Sequence, residues 1–413
     1  MSSAVLVRLR PTGPWRIGPD SGDRDRVDRV YHSDALYAAV CGAMFRLGEG
    51  DAWLDSTARA HENGAEPAVR FSSCFPFHAS TLFVVPPQNV WPPAATSKVR
   101  WKGARFVPLS VVETLLAGKL LKEDAFAIDG PSECLVSSSA QVSPFRTAVR
   151  SRAAVDRAGE SVAPHSSACL EFSPGSGLWF VGVFADHAAR ERWRKPLEAA
   201  LRWLADSGFG GERSLGWGRS EMPEIVDGSL ASLLWRSREN NALDTDPAYW
   251  LLSLFHPAAD ESVDWQKGQY SLTTRGGRVE SAAGWGEQKK LTRMVTEGSV
   301  LVAASEPRGT APNVAPEQFP HPVYRAGFAL CVPIRRVPVV IQGVTQSVTP
   351  SVSKIVDPVV IPVAAPVVEP VVERVVAPSV APKTAPETSP DVAPDAAPDA
   401  LGSASENVVR TEP

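Results

Sequence analysis

The chain of 413 residues has no Cys-x-x-Cys pair; its five cysteines, Cys41, Cys74, Cys134, Cys169 and Cys331, are odd in number and far apart. That spacing speaks against a zinc site and a disulfide scaffold, and it suits a reducing cytoplasm. No apolar run reaches the length a bilayer demands, and the opening Met1-Ser-Ser-Ala-Val-Leu-Val-Arg8 lacks a signal-peptide layout. The expectation is a soluble, cytoplasmic protein without a membrane partner. No Asp/Glu/His cluster stands at metal-ligand spacing, so no metal and no cofactor are expected. An excess of one charge is missing too: 42 Lys/Arg face 46 Asp/Glu, a net of −4. From Val339 onward four basic residues face nine acidic ones, which leaves 38 basic and 37 acidic residues before it. A nearly neutral body can still carry a local basic groove, although its net charge does not announce one.

Aromatic residues stop at Phe328. Beyond Ile341 the chain is Val, Pro and Ala with scattered acids. Frequent prolines block helix and sheet interiors, and without aromatics the segment cannot bury enough surface to offset its ordering entropy. Residues 340–413 are therefore expected to be a disordered Pro/Val/Ala-rich tail, with an interaction tail or semi-rigid spacer as the alternative. The remaining length suggests two domains.

What is abundant is glycine in one place. Gly208-Phe-Gly-Gly-Glu-Arg-Ser-Leu-Gly-Trp-Gly-Arg-Ser220 holds five glycines in thirteen residues. No Gly-Lys-Ser/Thr closes it as in a Walker loop, and it follows a helical pattern rather than the strand of a dinucleotide fingerprint. Amides at Gly208, Gly210, Gly211, Gly216 and Gly218 could form an anion-binding concavity, with Arg213, Ser214 and Arg219 as further phosphate donors. A long β-turn is the plain alternative.

Around this loop the periodicities give β-α-β-β-α-β, the ferredoxin-like order shared with the RNA-recognition fold. Ala4–Arg10 alternates as a strand. A loop with Trp15, Arg16, Arg24 and Arg26 follows. Ser33 is the expected N-cap of a helix with Leu36, Val40, Met44 and Leu47 on one stripe, ended by Gly48. Cys169–Phe184 reads as two strands. His187–Asp206 reads as a helix buried along Trp193, Leu197, Ala200, Leu201 and Leu204, with Pro196 starting or kinking its regular part. A last strand is expected near Glu221–Val226. This domain spans 1–230, with an irregular insert at about 50–165. The insert carries Lys98, Arg100, Lys102 and Arg105 around Trp101, then Arg146, Arg150, Arg152 and Arg157 around Phe145. Basic residues interleaved with aromatics suit single-stranded nucleic acid, Trp15 and Phe145 stacking on bases; a solvated surface with packed aromatics is the alternative. Residues 240–336 read as a small second α+β domain, with a hairpin turning at Gly276-Gly277.

Seven segments, in order, resemble a known family: Arg10–Gly18, Tyr31–Ala39, Arg70–Phe77, Ala154–Arg157, Phe209–Gly218, Thr296–Val300 and His321–Arg325. Together they look like the fourth subunit of the Csm effector complex of type III-A CRISPR systems, in the RAMP superfamily of RNA-binding proteins. The resemblance covers about residues 4 to 335. It implies two ferredoxin-like (RRM-like) domains and binding of the 5′ handle of the CRISPR RNA. It also implies docking of the large polymerase-like subunit and the backbone RAMP subunits, a thumb-like hairpin from the insert, and no nuclease activity. An alternative is a metal-independent endoribonuclease acting on repeat RNA with His32 as general acid or base, since some RAMP relatives use a histidine so. His32 has no second histidine nearby in sequence, and a role at the helix entry is equally natural.

Overall fold

The computed structural model describes residues 3–19, 23–63, 65–93, 101–139, 143–155, 162–235, 247–281 and 284–336. The tail at 340–413, Lys98, Arg100 and Arg157 lie outside these residues. Met1–Val344 forms one compact unit. It is an α+β structure in which strands outnumber helices.

β1 (Ser3–Leu9) leads through the first loop to α1 (Ser33–Arg46) and α2 (Gly50–Ser56). β2 (Val69–Phe71), β3 (Phe75–His78), β4 (Thr81–Val84) and β5 (Val107–Pro108) follow, with α3 (Leu109–Leu116) and the pair β6 (Phe126–Asp129) and β7 (Cys134–Ser137) behind them. A long hairpin, β8 (Phe145–Val155) and β9 (Val162–Phe172), precedes β10 (Ser176–Phe184), α4 (His187–Ser207) and β11 (Glu224–Ser229). The main sheet runs β11-β1-β10-β3-β4-β5, with β2 also on β10. Taking β1, β2/β3, β10 and β11 as first to fourth, the order is fourth-first-third-second, and every pairing is antiparallel.

Here the structure corrects the sequence reading. The second strand of the unit is β2/β3, which lies within the expected insert, and not the segment at 169–172. That segment is the end of β9 and pairs along its whole length with β8. The break at Ser72-Ser73 and the proline at 76 hide β2/β3 from any alternation test. The end of the insert is therefore a hairpin of two eleven-residue strands rather than an irregular stretch.

Burial explains the remaining elements. All nine residues of β10 are buried, so both faces of the sheet are covered. On one side Phe180 meets Phe71, which stacks on Trp53, which in turn meets Trp193 of α4. On the other, Trp179 packs on Phe75 and its indole donates to Phe83 O at 2.7 Å. The expected stripe of α4 is buried in full, and the helix runs unbroken through Pro196 from an N-cap at Asp186. In α1, Leu36, Val40 and Met44 are buried, whereas Leu47 is the exposed C-cap residue ahead of left-handed Gly48.

Beyond residue 246 come β12 (Ala248–Leu251), β13 (Leu272–Arg275), β14 (Arg278–Ser281), β15 (Gly284–Gln288), β16 (Thr292–Val295), β17 (Val300–Val302) and β18 (Cys331–Ile334). No helix lies among the described residues from 247 to 336. The sheet β17-β12-β18 shares its core with the first part through Trp250, Leu252, Phe328 and Leu330. Gly276-Gly277 does not close a hairpin: β13 pairs with β16, and β14 with β15.

The distal half of the long hairpin is exposed on both strands, Val155 and Val162 included. Replacing Ala153–Pro164 by Asn-Gly, a two-residue turn that suits the strand twist, should shift the melting temperature by no more than about 2 °C, because surface changes cost little. A fall beyond about 5 °C in a thermal melt would show that this arm packs on the body.

Candidate nucleic-acid interface

Three segments far apart in sequence are stitched together by main-chain hydrogen bonds. Trp15 and Leu170 exchange both bonds of a bridge, at 3.0 and 2.7 Å, and Ala168 N donates to Arg24 O at 2.7 Å. These join the first loop to the hairpin. Gly211 N donates to Arg16 O at 2.8 Å, Gly218 N to Pro14 O at 3.0 Å, and Thr12 N to Arg219 O at 3.1 Å, which joins the first loop to the glycine loop. Arg152 of the hairpin lies over the Trp217 ring at 4.7 Å and Ser167 Oγ reaches Glu212 Oε1 at 3.4 Å, which closes the circuit.

Arg16 holds the junction rather than facing solvent. Its guanidinium is buried and donates to the carbonyls of Asp23, Arg24, Arg26 and Ala168 at 2.7, 2.8, 3.3 and 2.8 Å. The aromatic expectations are overturned by burial. Trp15 is 1% exposed, packs edge-on against Phe209 and donates its indole N–H to Arg219 O; Phe145 is 1% exposed between Phe106 and Phe172. Neither ring can stack on a base. Trp101 is also buried, stacked on Trp91.

The glycine loop folds back on its neighbours. A Cβ at Gly208, Gly210 or Gly218 would strike Trp217 O, Arg16 O or Phe209 O at 2.4, 2.6 and 2.1 Å, and all three have positive φ. The amides of Gly208, Gly211, Gly216 and Gly218 donate to Leu204, Arg16, Arg213 and Pro14 carbonyls, so these four form no open anion-binding cradle. What the loop exposes is side chains: Arg213, Ser214 and Arg219. With Arg24 and Arg26 from the first loop and Arg146, Arg150 and Arg152 from the hairpin, seven arginines decorate the joined surface. Their carboxylate neighbours Glu171, Glu212 and Glu280 escaped the sequence reading. Strand register alone would have revealed Glu171, which faces Arg146 across the hairpin. Lys102 is exposed apart from this set, and Arg105 pairs with Asp28 at 3.3 Å.

His32 sits elsewhere, in a buried ion cluster at the start of α1. It occupies the N-cap position, so Ser33 is not the cap as expected; the Ser33 hydroxyl accepts Leu254 N at 3.0 Å instead. His32 Nδ1 lies 2.8 Å from Glu297 and Nε2 3.1 Å from Asp28. Ser73 Oγ donates to the same Glu297 carboxylate and accepts Ser33 N at 2.8 Å. Two residues on from His32, Asp34 takes Arg275 at 3.0 Å and also Arg325. Burial pulls the imidazolium pKa down, but the Glu297 charge and the Asp28 hydrogen bond outweigh it and raise it to about 9. For Asp34 burial works upward, and Arg275 with Arg325 overcomes it, down to about 2. Both ring nitrogens of His32 are held by carboxylates, and 8% of its surface is exposed. Among the described residues no group of three or more His, Cys, Asp or Glu is placed to hold a metal ion, and no helix is long and apolar enough to cross a membrane.

Residues 244–334 match the family model of the CRISPR Csm4 C-terminal domain. No curated protein matches the chain. Among solved structures, a chain of the Csm3-Csm4 subcomplex in the type III-A CRISPR-Cas interference complex superposes with a TM-score of 0.55 at 17% identity, over 81% of this chain and 99% of that one. A chain of the Csm1-Csm4 cassette in complex with cA4 gives 0.49 at 17% identity, over 80% and 98%. At this identity the first likeness shows a common fold.

The ion cluster gives stability a pH dependence. Folded His32 keeps its proton to about pH 9, and the unfolded residue loses it near 6.5. A raised pKa means stabilisation that is complete below pH 6.5 and lost as pH rises through 9, at most about 3 kcal/mol at 1.36 per unit. Urea unfolding at pH 6, 7.5 and 9 should show this decline, and His32→Gln should flatten it. A wild-type profile with no decline over that range would contradict the protonated assignment.

Proposed function

We propose that this chain is a non-catalytic RNA-binding subunit of a type III-A CRISPR ribonucleoprotein acting in the cytoplasm in antiviral defence. It holds the 5′ handle of the CRISPR RNA and docks the large polymerase-like subunit and the backbone RAMP subunits. The observation that carries this reading is the joined surface: seven arginines on three distant segments that main-chain bonds bring together. The matched C-terminal family model and the fold shared with a chain of a Csm3-Csm4 subcomplex support the assembly and a Csm3-type neighbour. In this reading residues 3–229 form one ferredoxin-like domain and the strand-rich part from 247 a reduced second one.

RNA-recognition domains usually stack bases on an open sheet face. With β10 buried on both faces, that route is closed, and contact falls to loops and the hairpin. Cation contacts to phosphates then dominate, and affinity follows salt with a log–log slope of roughly −0.7 per phosphate on a single strand. The endoribonuclease alternative draws no support from His32, which is buried and bound at both nitrogens.

Coexpression with large and backbone subunits and a repeat array tests the proposal. CRISPR RNA should co-purify with the assembly. The triple variant Arg24→Ala/Arg26→Ala/Arg219→Ala should weaken handle binding and make the salt slope shallower by roughly 2. An assembly that forms without this chain and protects the handle equally well would refute the reading, as would handle cleavage by the isolated chain in chelator.

A further inference from the structure

The seven arginines of the joined surface fall into two classes. Arg24, Arg26 and Arg219 are exposed and carry no ion pair among the described residues. Arg146, Arg150, Arg152 and Arg213 each already hold a carboxylate. Glu171 divides its two oxygens between two arginines. Its Oε2 accepts Nε and Nη2 of Arg146 at 3.1 and 2.9 Å, and its Oε1 accepts Nε of Arg150 at 2.9 Å together with Nη2. Each guanidinium thus presents to Glu171 the two-pronged edge by which arginine grips a phosphate. Glu212 Oε2 lies 3.4 Å from Arg152 Nη1, and Glu280 of β14 accepts Arg213 Nη2 at 2.5 Å.

These pairs are not needed to solvate the cations. The side chains of Arg146 and Arg150 are 70% and 55% exposed, and water would serve them as well. Surface pairs of this kind contribute about 0–1 kcal/mol each. Nor is their placement casual. The three glutamates come from the hairpin, the glycine loop and the C-terminal part, yet each lands on an arginine of the same surface. Glu212 does so from a left-handed backbone (φ 60°), a conformation that side chains with a Cβ rarely adopt.

We propose that Glu171, with Glu212 and Glu280, is a built-in competitor for the polyanion, so that RNA phosphates gain the paired arginines only by displacing carboxylates. This rests on the RNA-binding reading above. Seven arginines and three glutamates leave a net of +4, with the open cations Arg24, Arg26 and Arg219 available to any strand. A strand that merely collides meets these three. A strand that supplies phosphates at several positions at once displaces the glutamates and gains the other four. The glutamates therefore suppress binding of arbitrary RNA more than binding of a well-fitted handle.

The test is fluorescence anisotropy of labelled single-stranded oligouridylate with the full chain, across a salt series, for wild type, Glu171→Gln, Glu280→Gln and Arg146→Ala/Arg150→Ala. Glu171→Gln should tighten oligouridylate binding about three- to tenfold, the worth of two surface pairs, and steepen the salt slope by roughly 1.4, two phosphates gained. The gain should vanish when Glu171→Gln is combined with the arginine pair. Glu280→Gln, from another segment, should act in the same direction and stands in if Glu171→Gln lowers the melting temperature. If the arginine pair weakens binding but neither glutamate variant strengthens it, the competitor idea is overturned and the RNA-binding reading stands. If none of the variants changes affinity, both are overturned at this surface.

Discussion

The ion cluster at the start of α1 is the constraint on which the rest depends. It joins four of the segments that carried the family resemblance. His32, Ser33 and Asp34 come from Tyr31–Ala39, Ser73 from Arg70–Phe77, Glu297 from Thr296–Val300 and Arg325 from His321–Arg325. Buried ion pairs lose in desolvation much of what they gain in attraction, and these also tie together segments that lie far apart in sequence. A carboxylate at Asp34 also suits the positive end of a helix. Two arginines from the C-terminal part reach that carboxylate and fix where this part sits on the first. Asp28, held by His32 and Arg105, ends the first loop and so fixes the floor from which Arg24 and Arg26 project.

Much of this architecture was legible in the sequence, and the misses have physical causes. α1 and α4 have clear periods because each presents one face to a core, while β1, buried from Ala4 to Val7, is marked by its short run of β-formers and the arginines that end it. β2/β3 has no such signal: it is buried on both faces, broken by two serines and carries a proline, so neither alternation nor propensity marks it. The hairpin β8/β9 was obscured for the opposite reason, since its outer half buries nothing and therefore shows no apolar pattern. The pairing of His32 with Glu297 spans 265 residues and leaves no local trace.

The aromatic and glycine readings failed in an instructive way. Rings interleaved with arginines, as at Trp15 and Phe145, look alike in sequence whether they stack on bases or anchor charged strands from beneath. The structure places both underneath. Gly208, Gly210 and Gly218 are required because other backbone occupies the place of a Cβ, and the amides of Gly208 and Gly218 already donate to carbonyls. Arginines on an exposed strand or loop remain outside whatever the core does, as at Arg24, Arg26, Arg146 and Arg150, whereas Arg16 is drawn into the junction.

Among the described residues the long hairpin is held from its root, where Phe145 and Ala168 to Leu170 are buried, out to Arg152, which lies over Trp217 and pairs with Glu212. Ala153 to Val155 extend beyond that hold by about 10 Å at strand rise. Such an arm is a lever with its fulcrum at Arg152. A tilt of about ten degrees there carries Val155 by about 2 Å. Small adjustments where Arg152 meets the glycine loop are thereby converted into larger displacements at the far end of the strand.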